Sequence, residues 1–298
     1  MSESSLFDAE LPLPDDGLAQ KAKTLIGFDE RYQAVHAQLR LLLNSSELPA
    51  WNTKFHHGKL NLGTLLQEQY PFAIFHGDVG TGKTATAETI ANRLVAEARV
   101  EDATLFKMSN RVRGSGMVGE MGTLISQAFQ QVIKAVGKNK RAILIIDEGD
   151  SLAANRSQEH SHHEDKVAVN TLIQHIDDLR RFNGRILVIL CTNRLSVLDP
   201  ALRRRAAVVR AFSRPTPEER KALFSSDLAA LNPSADDLAK LVAITGPRAD
   251  QPTWTYSDIR TRLYPQALAK AFPTQPLSAN LLLHVASAMA PSPVMEDK

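Results

Sequence analysis

The segment Gly77-Asp78-Val79-Gly80-Thr81-Gly82-Lys83-Thr84 constrains the fold of this chain more than any other, because it satisfies G-x-x-x-x-G-K-[ST] in the context that pattern requires. The apolar run Phe72 to His76 precedes it as a strand, and the helical pattern from Ala85 to Ala98 follows it. Glycines at these places let backbone N–H groups converge on an anion, and the start of the following helix adds its positive dipole end. Lys83 is then placed to reach the outer phosphates of a nucleotide, and the Thr84 hydroxyl to ligate magnesium.

Further apolar runs alternate with helical patterns. Thr104 to Met108, Ala142 to Ile146, Ile186 to Cys191 and Ala207 to Phe212 read as strands, so the expected fold is α/β, with a five-stranded parallel sheet and helices on both faces. After Arg214-Pro215-Thr216-Pro217 the strand signals stop, and helices are expected near 217–231, 235–245, 256–272 and 277–289. This divides the chain into an α/β nucleotide-binding domain at 25–213 and a small all-helical lid domain at 214–298. Residues 1–24 are acidic and proline-containing, and read as a flexible N-terminal arm.

No apolar run approaches the ~18 residues of a membrane span, and Met1-Ser2-Glu3-Ser4 lacks the pattern of a signal peptide, which predicts a cytoplasmic protein without a membrane partner. The single cysteine, Cys191, lies in an apolar run and reads as a small buried hydrophobe. A formal charge of +2 gives no overall attraction to nucleic acid, and none is expected as a partner.

Strand Ile143 to Ile146 ends in Asp147-Glu148, which carries two carboxylates to the edge where open α/β sheets bind ligands. Asp147 is expected to hold magnesium through water, and Glu148 to polarise the attacking water. The next strand runs into Cys191-Thr192-Asn193, where the Asn193 amide is placed to orient the same water or touch the γ phosphate.

Together these residues resemble an AAA+ ATPase over about residues 25 to 290. Lys83, Asp147 and Asn193 fall in the family's order, and Asp147-Glu148-Gly149-Asp150-Ser151-Leu152 is similar to its D-E-x-D-S-L. The resemblance implies ATP and Mg²⁺ as cofactors. It implies nucleotide contacts along Gly77, Asp78, Val79, Gly80, Thr81, Gly82, Lys83, Thr84 and Ala85, with adenine packed on Ile26 and Gly27. Thr84 and Asp147 are the implied metal residues, and Lys83, Asp147, Glu148 and Asn193 the catalytic ones. It also implies a homo-oligomeric ring, most simply a hexamer, in which an arginine of one protomer completes the site of the next. Asp199-Pro200-Ala201-Leu202-Arg203-Arg204-Arg205 resembles the family's arginine turn and points to Arg204 under one pattern and Arg205 under another. Tyr256-Ser257-Asp258-Ile259 resembles the start of the lid helix, where Arg260 or Arg262 is the candidate for a second sensor.

Gly114 to Glu120 is similar to the first pore loop of protein-remodelling members, with Met117, Val118 and Gly119 in place of their aromatic-hydrophobic-glycine grip. The His-rich stretch from Gln158 to Asp165 reads as a polar, substrate-facing loop in preference to a zinc site. Within the family the chain looks most like the pachytene-checkpoint members, which unfold the N-termini of HORMA-domain proteins. A small bacterial version, acting in an antiphage signalling system, is the expected function. Rubisco-activase-like, membrane-scission-type and DNA-loading AAA+ proteins share most of these motifs and stand as alternatives.

Overall fold

A computed structural model describes residues 6–61, 69–98, 102–113, 119–152 and 163–295. Its centre is a sheet built from β1 (Phe7–Leu13), β2 (Phe72–Gly77), β3 (Ala103–Met108), β4 (Arg141–Ile146), β5 (Ile186–Thr192) and β6 (Val208–Phe212), in the order β1-β3-β4-β5-β2-β6. The five strands from β2 onward run parallel, at boundaries within a residue or so of those read from the apolar runs. At the β6 side of the sheet, Ile74 of β2 faces Leu190 in the β2–β5 ladder and Val209 in the β2–β6 ladder.

Alternation along β2 divides the core. Phe72 and Ile74 join one apolar cluster with the helices α5 (Glu120–Val136) and α7 (His163–Asp178). Ala73 and Phe75 join the cluster on the opposite face, with α1 (Asp16–Thr24), α2 (Phe28–Leu43) and α4 (Lys83–Glu97), the short α3 (Leu48–His56) following α2 in the chain. Period-two side chains on a sheet covered on both faces account for strands that are apolar throughout, β5 being buried along its whole length. A third cluster, centred on Trp254, Phe224 and Leu263, is made by α9 (Pro217–Asp227), α10 (Ala235–Ile244), α11 (Tyr264–Ala271) and α12 (Ala279–Ser287). Capping boxes at Thr216/Glu219 and Ser234/Asp237 start α9 and α10. Ile26 packs against this third cluster from the segment before α2.

The N-terminal reading requires correction. Described residues from Phe7 onward are not a flexible arm. They form β1, a sixth strand that pairs antiparallel with β3, and α1, whose Asp15 cap accepts from the Leu18 amide at 2.7 Å. The burial pattern explains the misreading: Phe7 and Leu13 are buried, while Asp8, Glu10 and Pro12 lie outward between them, so the composition looks disordered although the two ends are anchored. Pro12 lacks an N–H and is tolerated because the strand sits at the sheet edge. The Asn92 side chain then fastens the corner after β1, accepting from Asp15 N at 2.7 Å and donating to Asp15 O at 2.9 Å.

Candidate nucleotide site

The phosphate loop runs from β2 into α4 and is held open by glycine geometry. Gly80 and Gly82 take φ values of 75° and 90°, in the left-handed region that L side chains resist. Gly77 is required for space, since a Cβ there would stand 2.0 Å from the Phe212 carbonyl oxygen on β6. Thr81 reaches back to the Asp78 carbonyl at 2.8 Å and fixes the turn.

Lys83 is 7% exposed, and its Nζ donates to the carbonyls of Gly77 and Asp78, each at 2.9 Å, and to Asn193 Oδ1 at 3.0 Å. The ammonium is therefore placed at the mouth of the loop by three acceptors from two strand ends. Burial lowers its pKa from that of an ordinary lysine, with Asp147 and Asp78 among the groups that oppose the shift. Thr84, in the first turn of α4, donates to Asp147 Oδ2 at 2.8 Å, so the two residues expected to share a metal already meet. Below them Cys191 is fully buried, and its thiol is pushed far up by burial and by Asp147. It is inert packing, as its sequence context implied.

Glu148 follows with φ 50°, a strained backbone for a non-glycine residue at the end of a buried strand. Its amide donates to Asp147 Oδ1 at 2.9 Å, and its carbonyl accepts from Ser151 Oγ at 2.7 Å, so the bend leading into the short helix α6 (Gly149–Leu152) is fixed on both sides. Asp150 is a residue the motif reading quoted without a role. Its Oδ1 accepts from Thr192 Oγ1 at 3.1 Å and from the Asn193 backbone N–H at 3.2 Å, which ties the segment after β4 to the end of β5. The arrangement offers hard oxygen donors beside a loop of N–H groups and a lysine, and a strand-end amide next to them. That donor set fits a magnesium–nucleotide.

Residues 73–214 match the model for the ATPase family associated with various cellular activities (AAA). The protein described as CD-NTase-associated protein 6 of Escherichia coli strain KTE188 is 61% identical over 297 residues, covering 100% of both chains. The chain belongs to this AAA ATPase family. A solved chain from "Structure of E. coli MS115-1 HORMA:CdnC:Trip13 complex" superimposes on the ATPase with TM-score 0.88 at 36% identity, covering 99% of this chain and 100% of that one. A Rhizobiales Trip13 structure gives 0.70 at 30% identity, covering 97% of this chain and 100% of that one. The ATPase thus matches these relatives from end to end.

Other candidates in the ATPase fall around this centre. A cleft of about 520 Å³ opens beside Ile26 and Gly27, with Ala211 and Ser213 on one wall and Thr216 on another. Arg31, which sequence reading did not single out, closes its back by donating to Glu219 Oε1 at 3.1 Å and Tyr256 Oη at 3.0 Å. The arginine turn lies on α8 (Pro200–Arg205), capped by Asp199, and its two candidates differ sharply. Arg205 makes a two-point ion pair with Asp177, Nη2 to Oδ2 at 2.8 Å, and lies over the Tyr70 ring. Arg204 is exposed, with no hydrogen-bond or ion-pair partner among the described residues. Both second-sensor candidates are engaged within the helical cluster: Arg260 binds Asp227 through two 2.7 Å bonds, and Arg262 binds Asp258 at 2.8 Å. Of the pore-loop candidates only Gly119 is described, at the N-cap of α5 with φ 82°. Met117 and Val118 lie outside the described residues, as does most of the His-rich stretch.

Proposed function

We propose that the chain hydrolyses ATP as a hexameric ring in the cytoplasm and uses the cycle to open or disassemble a HORMA-domain protein complex, regulating a nucleotidyltransferase-based antiphage signalling system. The observation that carries this reading is the complete strand-end constellation of Lys83, Thr84, Asp147, Glu148 and Asn193 in a chain that matches, over its whole length, a protein solved with HORMA and CdnC.

The geometry supports the roles proposed for Lys83, Thr84, Asp147 and Asn193, and the family resemblance supports the others. Lys83 turns from its carbonyl and amide acceptors to the β and γ phosphates when a nucleotide enters, an exchange of neutral for charged partners that favours binding. Thr84 and Asp147 would hold Mg²⁺, which when bound neutralises charge building on the transferring phosphoryl group. Asn193, released from Lys83, orients water for attack, and Glu148 accepts its proton. Ile26 and Gly27 pack on the adenine, and the backbone from Gly77 to Ala85 cradles the phosphates. Arg204 is the better candidate for the arginine that acts on the next protomer, since Arg205 is bound within its own chain. Met117, Val118 and Gly119 grip an extended polypeptide, a thioether and a branched side chain offering contact without a sequence code.

The decisive experiment compares two variants. Lys83→Ala is expected to lose nucleotide binding, whereas Glu148→Gln retains ATP and loses about 10²–10⁴ in turnover. With the Glu148→Gln ring as a trap, a HORMA protein should co-elute in ATP, and Met117→Ala/Val118→Ala should release it. Equal loss of ATP binding in the first two variants, or stimulation of the wild-type ATPase by DNA alone, contradicts the proposal.

A further inference from the structure

The phosphate loop carries a charge that works against its own chemistry. Asp78, the second residue of the loop, places a carboxylate where the surrounding backbone is arranged to receive an anion. The structure shows how that charge is managed. Asp78 Oδ2 accepts from Arg214 Nε at 2.6 Å, and the pair is nearly closed to solvent, Arg214 at 10% and Asp78 at 11% side-chain exposure. Asp78 Oδ1 accepts from its own loop at Val79 N, 3.0 Å, and from Met295 N at 3.2 Å.

Arg214 is not a simple counter-ion. It follows β6 at the entry to the helical cluster, and its other nitrogens donate to carbonyls from two further segments: Thr253 ahead of the lid helix, and Ser292 and Pro293, each at 2.9 Å, in the strap beyond α12. That strap is itself anchored at Asp258, 1% exposed, which accepts from Ser292 Oγ at 2.6 Å. The same corner touches the loop a second time, where Ser257 N donates to the Gly80 carbonyl at 3.2 Å. A Cβ on Gly80 would stand 2.6 Å from Ser257 Cβ, so the lid approaches the loop as closely as the backbone permits.

We infer that Arg214 is a positioning residue for nucleotide binding: it neutralises the Asp78 carboxylate inside the phosphate loop and, through the Ser292–Met295 strap, fixes that loop to the lid. This rests on the reading of the loop as an ATP site and adds a residue outside every motif of that site. In a water-poor corner an unpaired carboxylate repels an arriving triphosphate far more strongly than at an open surface. Arg214 therefore acts on ATP through Asp78, without touching it.

The test is a charge-rescue series on the full chain: wild type, Arg214→Ala, Asp78→Asn and the double variant. Affinity is measured without magnesium by fluorescence of a ribose-labelled ATP, followed by KM and kcat with magnesium. Arg214→Ala is expected to weaken ATP about tenfold and raise KM by a similar factor, with kcat little changed. The double variant should recover to within about threefold of wild type, because removing the charge removes the need for its partner. Asp78→Asn alone keeps the Oδ1 acceptor for Val79 N and Met295 N but removes the charge, so it should bind ATP more tightly than wild type, and melting temperatures of all four chains show whether Arg214→Ala is folded. Wild-type affinity in Arg214→Ala, or a double variant no better than Arg214→Ala, overturns the inference and leaves the ATP site standing. Failure of the wild type to bind ATP overturns both.

Discussion

The phosphate loop with the ends of β4 and β5, and the arginine turn on α8, each place cationic and polar side chains near the carboxyl edge of one sheet, but their state of preparation differs. Around the phosphate loop Lys83, Thr84 and Asn193 are held by acceptors or donors of the same chain, at distances of 2.8 to 3.0 Å. On the turn, Arg205 is held in the same manner while its neighbour Arg204 faces outward. A group that must be in place before the substrate arrives benefits from internal partners, which supply preorganisation. A group that is to act on another protomer has to remain unengaged until that protomer docks. The comparison therefore separates what a single chain prepares from what assembly adds.

The largest expected effect tests the open side of this comparison. Arg204→Ala should reduce kcat by ~10³-fold or more while leaving thermal stability unchanged. Mixing it with Lys83→Ala protomers should restore part of the activity, since some interfaces then join an intact loop to an intact arginine. Arg205→Ala is expected to reverse the pattern: it breaks a two-point pair with Asp177 that is only partly exposed, at a cost of about 1–2 kcal/mol in unfolding free energy. If Arg205→Ala alone abolished turnover with unchanged stability, the assignments would exchange.

A smaller effect tests the prepared side. Burial lowers the Lys83 pKa, so in the nucleotide-free protein its cation is lost at a lower pH than that of an exposed lysine. An incoming triphosphate favours the charged form and takes up a proton. ATP affinity should therefore fall as pH rises through the alkaline range below 10.5, the ordinary lysine value, by up to about tenfold per pH unit. Titration of Kd between pH 7.5 and 9.5, or calorimetry in buffers of different ionisation enthalpy, checks this, and a flat profile would place the Lys83 transition above that window.

The smallest effect concerns the adenine cleft. Gly27 has φ 68° and only 3.0 Å between a built Cβ and Glu219 Oε1, a side-chain end that can move. Gly27→Ala should cost about 1 kcal/mol of stability through backbone strain, with a modest rise in KM for ATP. The same change at Gly77 meets a backbone carbonyl that cannot retreat, and the contrast in melting temperature between the two variants measures how rigidly each side of the cleft is built.

What could be read from residues alone followed the same division. The phosphate loop, Asp147-Glu148 and Asn193 are short-range signals, each a local pattern at the end of an apolar run, and the structure brings them within hydrogen-bond reach. The partners that secure them are remote in sequence. Arg214 meets Asp78 across 136 positions, and Arg31 meets Tyr256 across 225, with no spacing rule to announce either. Asp150 was visible in the motif, but its bond to the Thr192 hydroxyl depends on the adjacency of β4 and β5, which topology supplies. β1 was missed for another reason: an edge strand with two buried ends and polar residues between them scores by composition as solvent-loving.

That edge strand bears on how the chain matures. Phe7 pairs with Met108, and β3 is the neighbour of β1 in the sheet, so the ribosome makes β1 about a hundred residues before its template exists. At ~5–20 residues per second the wait is on the order of 5–20 seconds, long compared with the collapse of a nascent segment. The acidic residues Asp8 and Glu10 and the proline at position 12 are suited to that interval, because they discourage the strand from pairing with anything else. The composition that hid β1 is what keeps it available until β3 has been made.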